Sequence, residues 1–264
     1  MKLSTEKILA DVDGDIGWLT FNNPERRNAM SLEMWAGLAE AMQGFQADPA
    51  VRVVVMRGAG GKAFISGADI TEFDKHRASS EQKAQYGAGN VEGSRWLRKL
   101  DKPLIAMIQG FCIGGGLATA LNADVRIATP ESTFGIPAAK LGLGYDYAGL
   151  ATLARLVGPS VARDIMFSAR FLPADEALRV GLINRIVPAE SLEAEVRAYA
   201  GLIAVNAPMT IRAAKAALNE WERNPADRDL ARVETLVNAC FDSEDYREGR
   251  RAFAEKRKPE FRGR

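Results

Sequence analysis

Two glycine-rich stretches, each directly downstream of an apolar run, constrain this chain more than any other feature. VRVVVMRG (51–58) runs into AGGKAFISGAD (59–69), and PLIAMIQG (103–110) runs into FCIGGG (111–116). Both apolar runs read as buried strands. Glycine takes backbone conformations and close approaches that a Cβ forbids. A helix opening on Gly-Gly-Gly also presents unpaired N–H groups and the positive end of its dipole. Two such loops brought together would aim two N–H donors at one oxygen, which is an oxyanion hole. A tight strand-to-helix turn explains either loop alone, and the pair favours the functional reading. GAGGKAF is not a phosphate-binding P-loop, because Ala63 follows its lysine where Ser or Thr is required.

The rest of the chain fits around these loops. KILADVDGDIGWLTF (7–21) alternates and breaks at Asp-Gly, which predicts a hairpin. Ser31 is placed as the N-cap of a helix over about 32–46. A helix is expected over roughly 82–100 and further strands at DVRIAT, STFGI and LINRIV. Helices are expected over 150–169 and 174–181 and through most of 189–256. Strand, strand, helix thus recurs through the first two thirds, and the last third is helical. The expected class is α/β, with residues 1–195 as the core carrying the site and 196–264 as a helical C-terminal region.

Composition removes several functions. The formal net charge of +1 leaves no global field for nucleic acid or an anionic membrane. No segment reaches the uninterrupted apolar length of a membrane span. One histidine, His76, and two cysteines, Cys112 and Cys240, make a Ser-His-Asp triad, a zinc site or a disulfide scaffold hard to build, so no metal is expected. His76 reads as a surface histidine and Cys112 as a small buried strand-end residue. The opening MKLSTEKILADVDGD carries no signal-peptide pattern, and a cytoplasmic location is expected.

KAFISGADI (62–70) with IQGFCIGGGLATALNADVRIAT (108–129) resembles the crotonase superfamily, the enoyl-CoA hydratase/isomerase family. FGIP (134–137), LARLVGP (153–159) and the ending EDYREGRRAFAEKRKPEFRGR (244–264) extend the resemblance over nearly the whole chain. It implies a spiral of ββα units with a helical C-terminal trimerisation region, assembled as a homotrimer or as a hexamer of two trimers. It implies an acyl-CoA thioester as substrate, coenzyme A being part of that substrate and no separate cofactor being required. The oxyanion donors then fall at the backbone of Ala68 and Gly115. Arg26, Arg27 and Ala29 match the loop touching nucleotide and pantetheine, and Ser66, Asp69 and Ile70 match the adenine-side loop. Gly114 and Tyr145 join the substrate-binding set. Lys256 and Lys258 match basic positions that reach phosphates from a neighbouring subunit, although a charge run is ordinarily a solvated helix face.

The resemblance also locates two departures. The family's hydratases carry a glutamate two residues after the GGG and another after the proline of FG-x-P, positions held here by Ala118 and Ala138. Alanine neither holds a water by hydrogen bonding nor transfers a proton. Asp124, Glu131 and Asp164 read as structural or exposed. Asp146, in GIPAAKLGLGYDYAG (135–149), matches the catalytic aspartate of the family's dienoyl-CoA isomerases and the nucleophile of its dehalogenases. The dehalogenase histidine has no counterpart, Val91 standing there. Asp146 also suits a turn opening the next helix, and an apolar pocket around it would raise its pKa towards useful base strength. Of Tyr145 and Tyr147, one is able to donate into the pocket, and packing is expected for at least one. The favoured reading is an enolate-forming acyl-CoA enzyme with isomerase-like proton transfer by Asp146. Atypical hydration, hydrolysis, decarboxylation and a non-catalytic acyl-CoA binder stand as alternatives.

Overall fold

The computed structural model describes residues 1–69 and 92–264. Ile70, His76 and Val91 lie outside the described residues. β1 (Ile8–Asp13) and β2 (Ile16–Phe21) form the expected hairpin, Ile8 pairing with Phe21 and Asp13 with Ile16. Gly14 turns it with a φ of +59°. The Ser31 hydroxyl accepts from the Met34 amide at 3.3 Å and opens α1 (Leu32–Ala47), as the sequence indicates.

From here the chain winds as a spiral whose turns feed two sheets. β3 (Val53–Gly58), β5 (Leu104–Ile108) and β7 (Val125–Ala128) enter a six-stranded sheet of order β1-β2-β3-β5-β7-β10, where β10 is Arg185–Ile186. Each is followed by a partner strand in a four-stranded sheet of order β4-β6-β8-β9. These strands are β4 (Ala63–Ile65), β6 (Phe111–Ile113), β8 (Thr133–Gly135) and β9 (Leu172–Pro173). Apart from the β1 and β9 pairings, the ladders are parallel. Among the described residues the remaining α-helices are α2 (92–99), α3 (Gly115–Ala120), α4 (Tyr147–Ser168), α5 (Ala174–Arg179), α6 (Leu192–Ala204), α7 (Pro208–Trp221), α8 (Leu230–Asp242) and α9 (Glu244–Ala254). The C-terminal region is thus helical, as expected.

Side-chain alternation explains why the long apolar runs are strands. Successive residues of a strand face opposite sides. Val54 and Met56 of β3 enter the core shared with α1 and the small sheet, while Val53 and Val55 enter a second core under α6. Leu104, Ala106 and Ile108 of β5 follow the first pair, and Ile105 follows the second. A strand buried on both faces has no polar alternation to show.

Two elements differ from expectation. LINRIV contributes a strand of just Arg185 and Ile186, flanked by the Asn184 and Val187 amides on Arg126 O and Ala128 O at 2.9 Å, because the Leu182 and Ile183 amides both close the end of α5 on the Ala177 carbonyl, at 2.8 and 3.3 Å. The helix expected from 150 begins at Tyr147 and breaks inside at Gly158 (φ 79°, ψ 157°), next to Pro159.

Candidate active site

The site is built where two consecutive turns of the spiral leave the small sheet. β4 and β6 lie side by side and parallel. The chain leaves β4 through Ser66-Gly67-Ala68-Asp69 and leaves β6 through Gly114 into α3. Gly67 has a φ of +132° and Gly114 a φ of +56° with ψ −117°, conformations that a Cβ resists. Gly116 meets a different demand, since a Cβ on it would stand 2.1 Å from the Ile65 carbonyl oxygen. The glycines seen in sequence therefore serve backbone direction at 67 and 114 and close packing at 116.

Segment 27–30 holds the first loop along its length. The Ser66 amide donates to Arg27 O at 3.1 Å, Met30 N to Gly67 O at 2.9 Å, and Asp69 N to Met30 O at 2.9 Å. The last two form a single parallel bridge between Met30 and Ala68. In such a bridge the central residue's own N–H and C=O turn to the opposite side, so the Ala68 amide faces away from Met30. Gly115 is the first residue of α3, where an N–H has no partner within its helix. Neither amide has an acceptor among the described residues. A Cβ built on Gly115 would lie 3.6 Å from Ala68 N. With ordinary bond lengths that places the two nitrogens within about 6 Å of each other.

The other predicted residues fall into three groups. Arg26, Arg27 and Ala29 sit on the segment beside Ser66 and Asp69. The Ser66 hydroxyl points to Arg26 O at 3.4 Å, and the Arg27 guanidinium lies 5.2 Å from the Phe111 ring centre. Ala118 lies on α3, and Ala138 is buried in a short 3-10 turn, Pro137–Leu141. Lys256 and Lys258 are exposed just beyond α9, Lys256 with a φ of 54°. The tail after them folds back on α9: buried Asp245 accepts from the Arg262 amide at 2.6 Å and the Gly263 amide at 2.8 Å, and Arg257 pairs with Glu248 at 2.5 Å.

Asp146 is the N-cap residue of α4, but its side chain does not cap the helix. Among the described residues the expected apolar enclosure is not seen around it: residues 139–144 and Asp146 itself are exposed. Glycine-rich chain such as Gly142 and Gly144 offers little side chain to fold over a neighbour, and open space surrounds both. Tyr145 packs against the core, whereas Tyr147 is 78% exposed. Asp124 is structural, its carboxylate accepting from the Leu104 amide at 2.7 Å and from Lys215 Nζ at 2.8 Å. Cys112 is fully buried, and burial pushes its thiol well above the usual cysteine range. Two cavities, of 450 and 310 Å³, lie among C-terminal charges such as Glu248 and Arg257, and between Lys102 and Arg212; neither is lined by the glycine loops.

One residue of this neighbourhood escapes the sequence reading. Asn28 is 0% exposed with a φ of 56°. Its Oδ1 accepts from Asn23 N at 2.9 Å, and its Nδ2 donates to Ala59 O at 3.0 Å and Ala63 O at 2.8 Å. The available signal was an asparagine directly before an apolar run in RRNAM, since asparagine tolerates the left-handed backbone.

A family model described as enoyl-CoA hydratase/isomerase matches residues 11–264. The chain is 34% identical to crotonyl-CoA hydratase of Syntrophomonas wolfei over 259 residues, covering 98% of this chain and 99% of that protein. It is 32% identical over 264 residues to carnitinyl-CoA dehydratase of Salmonella typhi, covering 98% and 100% respectively. A solved structure described as an enoyl-CoA hydratase/carnithine racemase from Magnetospirillum magneticum superposes with a TM-score of 0.92 at 39% identity, covering 99% of this chain and 97% of that one.

Proposed function

Because the chain belongs to the enoyl-CoA hydratase/isomerase family, we propose that it acts on an acyl-CoA thioester through its enolate, with the Ala68 and Gly115 amides holding the thioester oxygen. The observation that carries this reading is the pair of amides, within reach of each other and without an acceptor among the described residues. Removing a proton from the α-carbon moves negative charge onto that oxygen. Donors already in place for it need no rearrangement, and each is worth about 3–4 kcal/mol. Arg26, Arg27, Ala29, Ser66, Asp69 and Gly114 border the groove that receives the coenzyme A arm. Lys256 and Lys258 meet its phosphates from a second copy. Coenzyme A arrives with the substrate, and no other cofactor takes part.

Asp146 moves the proton. It takes one from the α-carbon of a 3-enoyl-CoA, and the electron pair delocalises through the enolate. The proton returns at the γ-carbon, leaving the 2-enoyl-CoA. This isomerisation uses one carboxylate and no water, in keeping with alanine at 118 and 138. Hydration is the second reading, supported by relatives named as hydratases and dehydratases. It requires a water activated without a side chain at either alanine.

Three assays on the purified protein decide between these. Isomerisation of a 3-enoyl-CoA with deuterium wash-in at the α-carbon supports the first reading. Rapid hydration of crotonyl-CoA overturns it in favour of the second. Tight acyl-CoA binding without exchange or turnover overturns both and leaves a binding protein. A homotrimer or hexamer in the cytoplasm belongs to the same proposal. No residue of α8 is fully buried within the single chain, and Phe253 is 88% exposed. Light scattering that returns one chain mass would sink the assembly.

A further inference from the structure

Asn28 sits one step behind the Ala68 amide, and its contacts straddle β4. Its carboxamide donates to Ala59 O, in the connection entering β4, and to Ala63 O, at the first residue of β4. Two residues on, Met30 forms the bridge to Ala68 in the loop leaving β4. One residue earlier, Arg27 O takes the Ser66 amide. The segment 27–30 is therefore fixed to one end of β4 by a side chain and to the other by its backbone.

The fit around Asn28 is close. A Cβ on Gly58 would stand 2.8 Å from Asn28 Nδ2 and 2.2 Å from Ala63 O, so glycine at 58 leaves room for the carboxamide. The Asn28 amide N–H donates to Asn23 O at 2.8 Å while its Oδ1 takes Asn23 N–H, closing the loop 23–28 on itself. Arg27 and Asn28 both occupy the left-handed region, at φ 50° and 56°. A buried polar group with each donor and acceptor engaged holds its surroundings in one arrangement. A buried leucine of similar size would fill the space without fixing direction.

We propose that Asn28 is a positioning residue for the oxyanion site, setting the direction of the Ala68 N–H through Met30 and the 66–69 loop. The inference rests on the reading of Ala68 and Gly115 as oxyanion donors. Asn28 touches no reacting atom in this scheme. Misplacement of a donor by about 1 Å costs on the order of a hundredfold in rate, and a segment released at 28 has that freedom.

The test compares two ligands that differ only at the carbonyl: an acyl-CoA thioester and the corresponding CoA thioether, which lacks the oxygen. Asn28→Asp keeps the shape and the acceptor while losing both amide donors. Asn28→Gly keeps the backbone conformation and removes the side chain, giving a second variant should the first fail to fold. Wild type should bind the thioester in preference to the thioether and shift the absorbance of a bound cinnamoyl-CoA to the red. In the variants any loss of affinity shared by both ligands, through Arg27 and Ala29, should be exceeded by a further loss for the thioester, so that thioester preference falls. The red shift should shrink, and kcat should drop roughly 10- to 100-fold with KM little changed. Equal loss of both ligands, or an unchanged red shift in a folded variant, overturns the proposal and leaves Asn28 a structural residue. A wild type that does not distinguish the ligands overturns the oxyanion reading itself, and this inference with it.

Discussion

Gly116 lies so close to Ile65 that any side chain on the glycine would be driven into the Ile65 carbonyl oxygen, at 2.1 Å from a Cβ. This contact seats the first turn of α3 against β4. It requires glycine for space, whereas Gly67 and Gly114 require it for backbone angle.

Gly116→Ala should therefore force α3 away from β4. Overpacking of this kind costs about 1–3 kcal/mol. The expected result is a lowered unfolding midpoint in denaturant, together with loss of turnover greater than the stability change explains. A variant with wild-type stability and wild-type kcat would show that the helix has more latitude than the structure gives it.

Asp146→Asn separates chemistry from folding. Asp146 is exposed, and substitutions at exposed positions usually change stability by no more than about 0.5 kcal/mol. Turnover and α-proton exchange should fall by roughly 10²–10⁴ if this carboxylate moves the proton. Equal exchange rates in the two proteins would remove Asp146 from the mechanism. Tyr147→Phe, at an exposed position, should leave both quantities unchanged.

The local signals in the sequence survive in the fold because they are satisfied within a few residues. Asp13-Gly14 turns the hairpin, Ser31 caps α1 at Met34, and the glycines of both loops adopt conformations or approaches that glycine permits. Features made by distant chain were not legible. Asn28 owes its role to Ala59 and Ala63, about thirty residues away, and nothing nearby marks it as buried. Arg126, on a strand, is buried as well: its guanidinium donates to Leu182 O at 2.8 Å and Ala123 O at 2.5 Å. The apolar stretch before Asp146 misled in the other direction, since composition does not say which side of a segment faces protein.

Acid should loosen the C-terminal tail before it unfolds the core. Hydrogen bonds from Arg257 and Arg251, then from the Glu260 amide, hold the Glu248 carboxyl far below the usual range. A carboxyl depressed on folding contributes stability above its unfolded pKa, roughly 4.3. That contribution is lost as pH falls through the lower, folded value. Protection of the tail amides 257–264 against hydrogen exchange, taken relative to the intrinsic rate at each pH, should be high at neutral pH and fall at strongly acidic pH. Glu248→Gln should lower that protection already at neutral pH. Identical tail protection in wild type and variant would show that the ion pairs do not hold the tail.

Cys112 should resist thiol reagents in the folded protein. Its thiol is buried and raised by that burial, whereas Cys240 is half-buried and donates to Leu236 O at 3.2 Å. Iodoacetamide should leave Cys112 unlabelled until denaturant is added. Labelling of Cys112 at the native rate of Cys240 would mean that β6 opens readily.

The pairing of β4 with β6 has a consequence for how such a site tolerates change. Ala68 follows one strand and Gly115 follows its neighbour, so the two segments reach the site from strands about 4.8 Å apart, the repeat of a hydrogen-bonded sheet. That repeat is a property of peptide geometry and independent of any side chain. Side chains outside these supports, the buried Asn28 and the glycines at 67, 114 and 116, can change and reshape what lies beside the two amides, while the strand repeat beneath them keeps its length.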